Sequence, residues 1–120
     1  MEKGSIVSVF GGSAARPGEE AWVASESVGR QLAEAGYAVM TGGFNGVMEA
    51  ASKGAKEAGG HVIGVTFRLN KPGETEHGAN PFVMEEITYS ELSPRLLHLV
   101  KKSDAVVVMP GGVGTLSEAV

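Results

Sequence analysis

Ala105-Val106-Val107-Val108-Met109-Pro110-Gly111-Gly112-Val113-Gly114-Thr115-Leu116-Ser117-Glu118 joins an apolar, β-branched run to a glycine-rich turn and then to the start of a helix. Ala105 to Met109 reads as the most buried-looking strand of the chain, apolar at every position as a strand covered on both faces must be. Thr115-Leu116-Ser117-Glu118 matches a capping box, in which the threonine caps a helix and the glutamate three positions on reaches back to it. A strand, a tight turn and a helix in direct succession form part of a βαβ unit, and repeated units of that kind build a parallel sheet.

The rest of the chain repeats this alternation. Ser5 to Phe10 reads as the first strand. Pro17 opens a helix whose Ala21, Ala24, Val28, Leu32 and Ala35 form one apolar stripe, and Gly36 stops it. Tyr37 to Thr41 is the second strand, Val47 to Ala58 an alanine-rich helix, and His61 to Phe67 the third strand. Gly36, Gly59 and Gly60 stand where helix ends call for positive φ. Arg68 to Pro81 is polar and aperiodic, a surface loop, and a short strand near Val83 to Thr88 follows. Ser93-Pro94 is a helix start, serine as cap and proline as first helical residue. It leads into Arg95 to Lys102, with Leu96, Leu97 and Val100 facing inward. The expectation is one α/β domain over residues 1–120, a Rossmann-like doubly wound parallel sheet in three layers. The helix begun at Leu116 is unfinished at Val120, which reads as a fragment.

Composition narrows the function classes. With 42% apolar and 20% charged residues the chain can bury a core. Its 14 acidic and 10 basic side chains give a net charge of −4, so no basic field exists to hold nucleic acid or an anionic membrane. Any phosphate must be held locally, by backbone amides. There are no cysteines, which removes disulfides and thiolate metal sites. No apolar run reaches membrane-spanning length and no secretion signal opens the chain, so the expectation is a soluble cytoplasmic protein.

Glycine is the outlier, 18 of 120 residues, about twice the usual ~7% share. Three turns at strand ends account for much of the excess: Gly11-Gly12-Ser13, Gly42-Gly43, and Gly111-Gly112-Val113-Gly114-Thr115. In a parallel sheet all three lie on the carboxyl-end face, where ligands bind at a topological switch point. The last has the clearest mechanism. Successive glycines let backbone N–H groups converge on one anion, and the following helix adds its positive end. Gly42-Gly43 has a plainer alternative, steric relief between strand and helix.

Pro110 to Glu118 resembles the PGGxGTxxE signature of the "Lonely guy" family, cytokinin-activating nucleoside 5′-monophosphate phosphoribohydrolases often labelled lysine decarboxylases. Thr41-Gly42-Gly43-Phe44-Asn45-Gly46-Val47-Met48 resembles its second signature, TGGGxxGLMG, and Gly11-Gly12-Ser13 its first turn. The resemblance implies hydrolysis of an N-glycosidic bond to free base and ribose 5-phosphate, a nucleoside monophosphate as ligand, no cofactor, and a homodimer. It also implies a catalytic pair, Glu118 and Arg95, which stands 23 residues before it. Such a reaction needs a carboxylate beside a developing oxocarbenium ion or its attacking water, and a cation to orient it. Without catalysis, Glu118 closes its capping box and Arg95 is a first-turn side chain. A cation there opposes the helix dipole, so an anion partner for Arg95 is expected. Three positions depart from the family pattern. Leu96 stands where a lysine follows the arginine, Phe44 where a third glycine is usual, and Glu49 where a glycine closes the second signature. Glu49 caps its helix or binds a hydroxyl. These departures resemble the branch of the superfamily that contains molybdenum-cofactor carriers, so the alternative is a non-catalytic carrier of a nucleotide or phosphorylated pterin.

Other residues are set aside. His61, His77 and His98 lack metal-ligand spacing, so no metal is expected. Lys101-Lys102 reads as a solvated helix end favoured by the dipole, with no Schiff-base lysine for pyridoxal chemistry. Trp22 and the methionines read as core. Gly11-Gly12-Ser13 lacks the G-x-G-x-x-G spacing of dinucleotide folds, so no NAD is expected.

Overall fold

A computed structural model describes residues 2–67 and 79–109. Five β-branched or apolar runs form the strands β1 (Ile6–Phe10), β2 (Ala38–Thr41), β3 (Val62–Phe67), β4 (Glu85–Tyr89) and β5 (Ala105–Val108). They make one sheet in the order β4-β3-β2-β1-β5, with every neighbouring pair parallel. Three helices, α1 (Glu20–Glu34), α2 (Val47–Glu57) and α3 (Leu92–Lys101), connect them.

Alternate strand residues face opposite ways, and the two faces build two cores. Val9, Val39 and Val62 pack with Val47, Ala51 and Ala55 of α2, and with the partly buried Val28 and Leu32 of α1. Met40, Ile63 and Val65 pack on the other face with Leu99 of α3. Helix, sheet and helix make the three layers of the Rossmann-like, doubly wound α/β fold expected from the alternation. No helix among the described residues is long and apolar enough to cross a membrane.

Helix boundaries and faces differ from the sequence expectation in instructive ways. Pro17 lies in a turn before α1, closed by Glu19 N–H to Arg16 O and by Arg16 N–H to Glu19 Oε1. The buried face of α1 is Trp22, Ser25 and Gly29. Ala24 and Ala35, from the expected stripe, are exposed, while Ala21, Val28 and Leu32 are partly buried. The reason is close helix packing. A Cβ on Gly29 would run into the Ala51 carbonyl, and one on Gly54 into the Glu26 carbonyl. The two backbones meet where side chains are small, and α1 turns its small residues inward.

α3 shows a second rotation. It begins at Leu92 after the cap position Glu91, so Ser93 and Pro94 lie inside the first turn, where a missing proline N–H costs nothing. Leu99 is 2% exposed, whereas Leu96, Leu97 and Val100 are about half exposed. The expected inward trio therefore faces outward. The helix instead turns Arg95 and Leu99, one turn apart, toward the sheet, and Ser8 of β1 donates to Leu99 O at 2.9 Å.

β5 is the last strand of the described sheet rather than the most buried. Val107 packs into the first core, but Val106 and Val108 are 44% and 37% exposed, because α3, the described helix on their face, lies over β3 and β4. Gly36 and Gly59 adopt φ of 92° and 82°, as helix ends require. Gly60 does not; it is needed for space, since a Cβ there would lie 2.6 Å from that of Ala33. The fourth strand occupies Glu85–Tyr89. Most of the expected 68–81 loop lies outside the described residues; at its end Pro81 is exposed, while Asn80 is only 7% exposed.

Candidate functional site

β1 is flanked by β2 on one side and β5 on the other. The chain winds outward from β1 through β2, β3 and β4, then returns to add β5 at the opposite flank, which makes the carboxyl end of β1 the switch point. Met109 N–H donates to Phe10 O at 2.8 Å, so the residue before Pro110 lies directly beside the residue before Gly11. Gly111, Gly112, Val113, Gly114, Thr115 and Glu118 lie outside the described residues.

The first two glycine turns are in contact. Val47 N–H donates to Gly12 O at 3.0 Å. Gly46, with φ 73°, sits so close to the first turn that an added Cβ would meet Gly12 O at 2.5 Å and Ser13 at 2.6 Å. A Cβ on Gly11 would meet the Val47 side chain at 2.5 Å. Only glycines let the two turns close on each other at the head of α2.

The second turn spends its polar groups internally. Gly43 N–H donates to Thr41 Oγ1 at 3.0 Å. Gly43 O accepts from Asn80 N–H at 2.7 Å, and Phe44 O accepts from Asn80 Nδ2 at 2.9 Å. Gly42 O accepts from Arg95 Nη2 at 3.0 Å. Gly42 and Gly43 therefore form a wall of the crevice, and the Gly43 amide is already committed. Glu49 lies in the first turn of α2 with no side-chain bond to its cap.

Arg95 is the charged centre of this wall. Its Nε donates to Val65 O at 2.7 Å, beside the bond from Nη2 to Gly42 O. The guanidinium carbon lies 5.4 Å from the ring centres of both Phe44 and Phe67, which meet edge to face at 6.1 Å. A cation between two aromatic rings is attracted by both. Burial lowers the Arg95 pKa, yet a guanidinium stays protonated in proteins. The expected anion partner is absent among the described residues. A carbonyl of β3, a carbonyl just past the end of β2 and two ring faces take its place, which resolves the unfavourable setting of a cation in a first helical turn. Nη1 has no hydrogen-bond partner among the described residues. Leu96 beside it is half exposed.

Asn80 and Phe67 belong to this arrangement, and sequence reading passed over both. Asn80 precedes Pro81, and its Oδ1 accepts from Phe82 N–H at 3.1 Å, an Asx-turn that the Asn-Pro pair could have suggested. No local signal marks Phe67, because its partners lie 23 and 28 residues away. His98, one turn after Arg95, bonds Tyr89 Oη through Nδ1 at 2.8 Å. His61 pairs with Glu85 at 3.0 Å on the surface. His77 lies outside the described residues.

Known proteins share this arrangement of strands. The chain is 36% identical over 100 residues to an uncharacterised protein of Archaeoglobus fulgidus, covering 83% of this chain and 62% of that one. It is 36% identical over 100 residues to the cytokinin riboside 5′-monophosphate phosphoribohydrolase LOG5 of Arabidopsis thaliana, covering 80% of this chain and 39% of that protein. The chain thus spans less than two thirds of these relatives. Among solved structures, the molybdenum cofactor carrier protein of Chlamydomonas reinhardtii superposes with a TM-score of 0.78 at 34% identity, over 98% of this chain and 69% of that one. The molybdenum cofactor binding protein of Rippkaea orientalis gives 0.76 at 34%, over 99% and 69%. A family model matches residues 4–120, nearly the whole chain: this chain belongs to the SLOG cluster4 family.

Proposed function

We propose that the chain binds a nucleoside 5′-monophosphate at the carboxyl edge of its sheet and hydrolyses the N-glycosidic bond. Arg95 carries this reading. It is a partly buried cation held by two carbonyls and two rings at the edge where the glycine turns meet, with Nη1 unused among the described residues. A pre-held guanidinium binds an oxyanion without first losing side-chain freedom. In the reaction the bond between ribose C1′ and the base nitrogen breaks, water oxygen bonds to C1′, and the base leaves with a proton. Glu118 activates the water or stabilises the oxocarbenium ion, and the amides of Gly111 to Thr115 hold the phosphate.

A second reading is favoured by two observations. Leu96 is apolar where the hydrolase signature has lysine, and the superposed carriers are as similar to this chain as the hydrolases are. A carrier binds a phosphorylated pterin or nucleotide at the same edge without cleaving it. Incubation with AMP, with separation of adenine and ribose 5-phosphate, decides between them. Hydrolysis predicts both products in equal amounts and their loss in Glu118→Gln, which still fits a capping box. AMP bound but unchanged favours the carrier, and equal turnover by Glu118→Gln removes Glu118 from the chemistry.

A further inference from the structure

We propose that Asn80 is a positioning residue for Arg95, anchoring the turn on which the guanidinium rests and so fixing where Arg95 presents its remaining donors. The inference rests on the proposed role of Arg95 in ligand binding. Asn80 is nearly buried, and its side chain is fully engaged: Nδ2 donates to Phe44 O at 2.9 Å, and Oδ1 accepts from Phe82 N–H at 3.1 Å. Its backbone N–H reaches Gly43 O at 2.7 Å. Those two carbonyls belong to consecutive residues of the turn that holds Arg95. Gly42 accepts from its Nη2, and the Phe44 ring lies 5.4 Å from its guanidinium carbon.

The seat therefore consists of Gly42, Gly43 and Phe44, with Arg95 gripping the first and third and Asn80 gripping the second and third. Gly43 between them has φ 79°, a conformation from which a glycine departs easily unless held. Thr41 Oγ1 holds its N–H and Asn80 its carbonyl. Without the Nδ2 donor the Phe44 carbonyl is free to turn, and the Phe44 ring and Gly42 carbonyl turn with it. Arg95 then loses a hydrogen bond and one of its two rings, although Asn80 acts on it only through the turn.

The test reads the Arg95 Nη2–H, the donor to Gly42 O, by NMR in arginine-labelled protein without ligand, with the guanidinium N–H groups of the exposed Arg16 and Arg30 as internal references. The parent should show slow exchange at Arg95 alone of these three. Asn80→Asp, an isostere without the donor, and Asn80→Ser, an uncharged replacement, should each speed that exchange about tenfold, leaving Arg16 and Arg30 unchanged. Unchanged Arg95 exchange in either folded variant overturns the proposal. Should neither fold, the parent still decides. The Asn80 side-chain amide and the Arg95 Nη2–H should be protected to within about twofold of each other, and protection differing more than about tenfold overturns the proposal. AMP calorimetry on the same samples keeps the two ideas apart. Faster Arg95 exchange with no AMP binding by the parent upholds the positioning role and removes the nucleotide reading.

Discussion

Arg95 is worth more to this fold than a surface cation, and the reason lies in its partners. Bonds from a charged donor contribute about 1.5–3 kcal/mol each where water is excluded, and Arg95 makes two, to Val65 O and Gly42 O. Partial exposure reduces that. Arg95→Lys keeps the charge but offers a single ammonium in place of the planar fork. The predicted outcome is a loss of about 1–2 kcal/mol in denaturant unfolding together with a large fall in AMP turnover. Unchanged stability would mean that the guanidinium is not seated on the Val65 and Gly42 carbonyls. Sequence reading singled out Arg95 and Phe44 from a signature and its departures, but not their contact. Residues 51 apart in the chain meet only because the turn after β2 and the start of α3 lie at the same edge, and no local pattern encodes that.

At the level of elements, the strands were legible and the helix faces were not. Runs such as Val62–Phe67 are short, rich in β-branched residues and set off from the preceding helix by Gly59-Gly60, which leaves little choice. α3 has apolar residues on every side, so its period cannot say which face is buried; the contacts of Arg95 and Leu99 decide it. Leu99→Ala should therefore cost about 2–5 kcal/mol, and Leu97→Ala well under half of that, in chemical unfolding. The α1–α2 crossing is a further case. Gly29→Ala gains about 1 kcal/mol of helix propensity but drives a methyl into the Ala51 carbonyl, and overpacking costs about 1–3 kcal/mol where neighbours can shift. Backbone shifts less readily than side chains, so the clash wins. A midpoint lowered by roughly 4–8 °C is expected for each net kcal/mol lost, and Gly54→Ala, against the Glu26 carbonyl, should behave alike. Equal or higher midpoints would show that the helices stand farther apart.

For the whole molecule, winding order sets the place of the site. Because β5 returns to the far side of β1, the switch point falls where Gly11-Gly12-Ser13 begins and where Met109 hands the chain to Pro110. The parallel sheet and the first two glycine turns, which meet at that edge, were legible in the sequence; the third turn lies outside the described residues. The Asn80 strap and the aromatic seat of Arg95 were not, since both depend on a tertiary meeting of β2, β3 and α3. The central claim is that this edge recognises a phosphate on a nucleotide-like ligand. Calorimetric titration with AMP and with adenosine, on the parent and on Arg95→Lys, tests it most directly. Recognition of the phosphate predicts that AMP binds the parent at least about tenfold more tightly than adenosine, about 1.4 kcal/mol, and that Arg95→Lys narrows the difference. Adenosine binding as tightly as AMP, or an unchanged difference in the variant, would contradict the account.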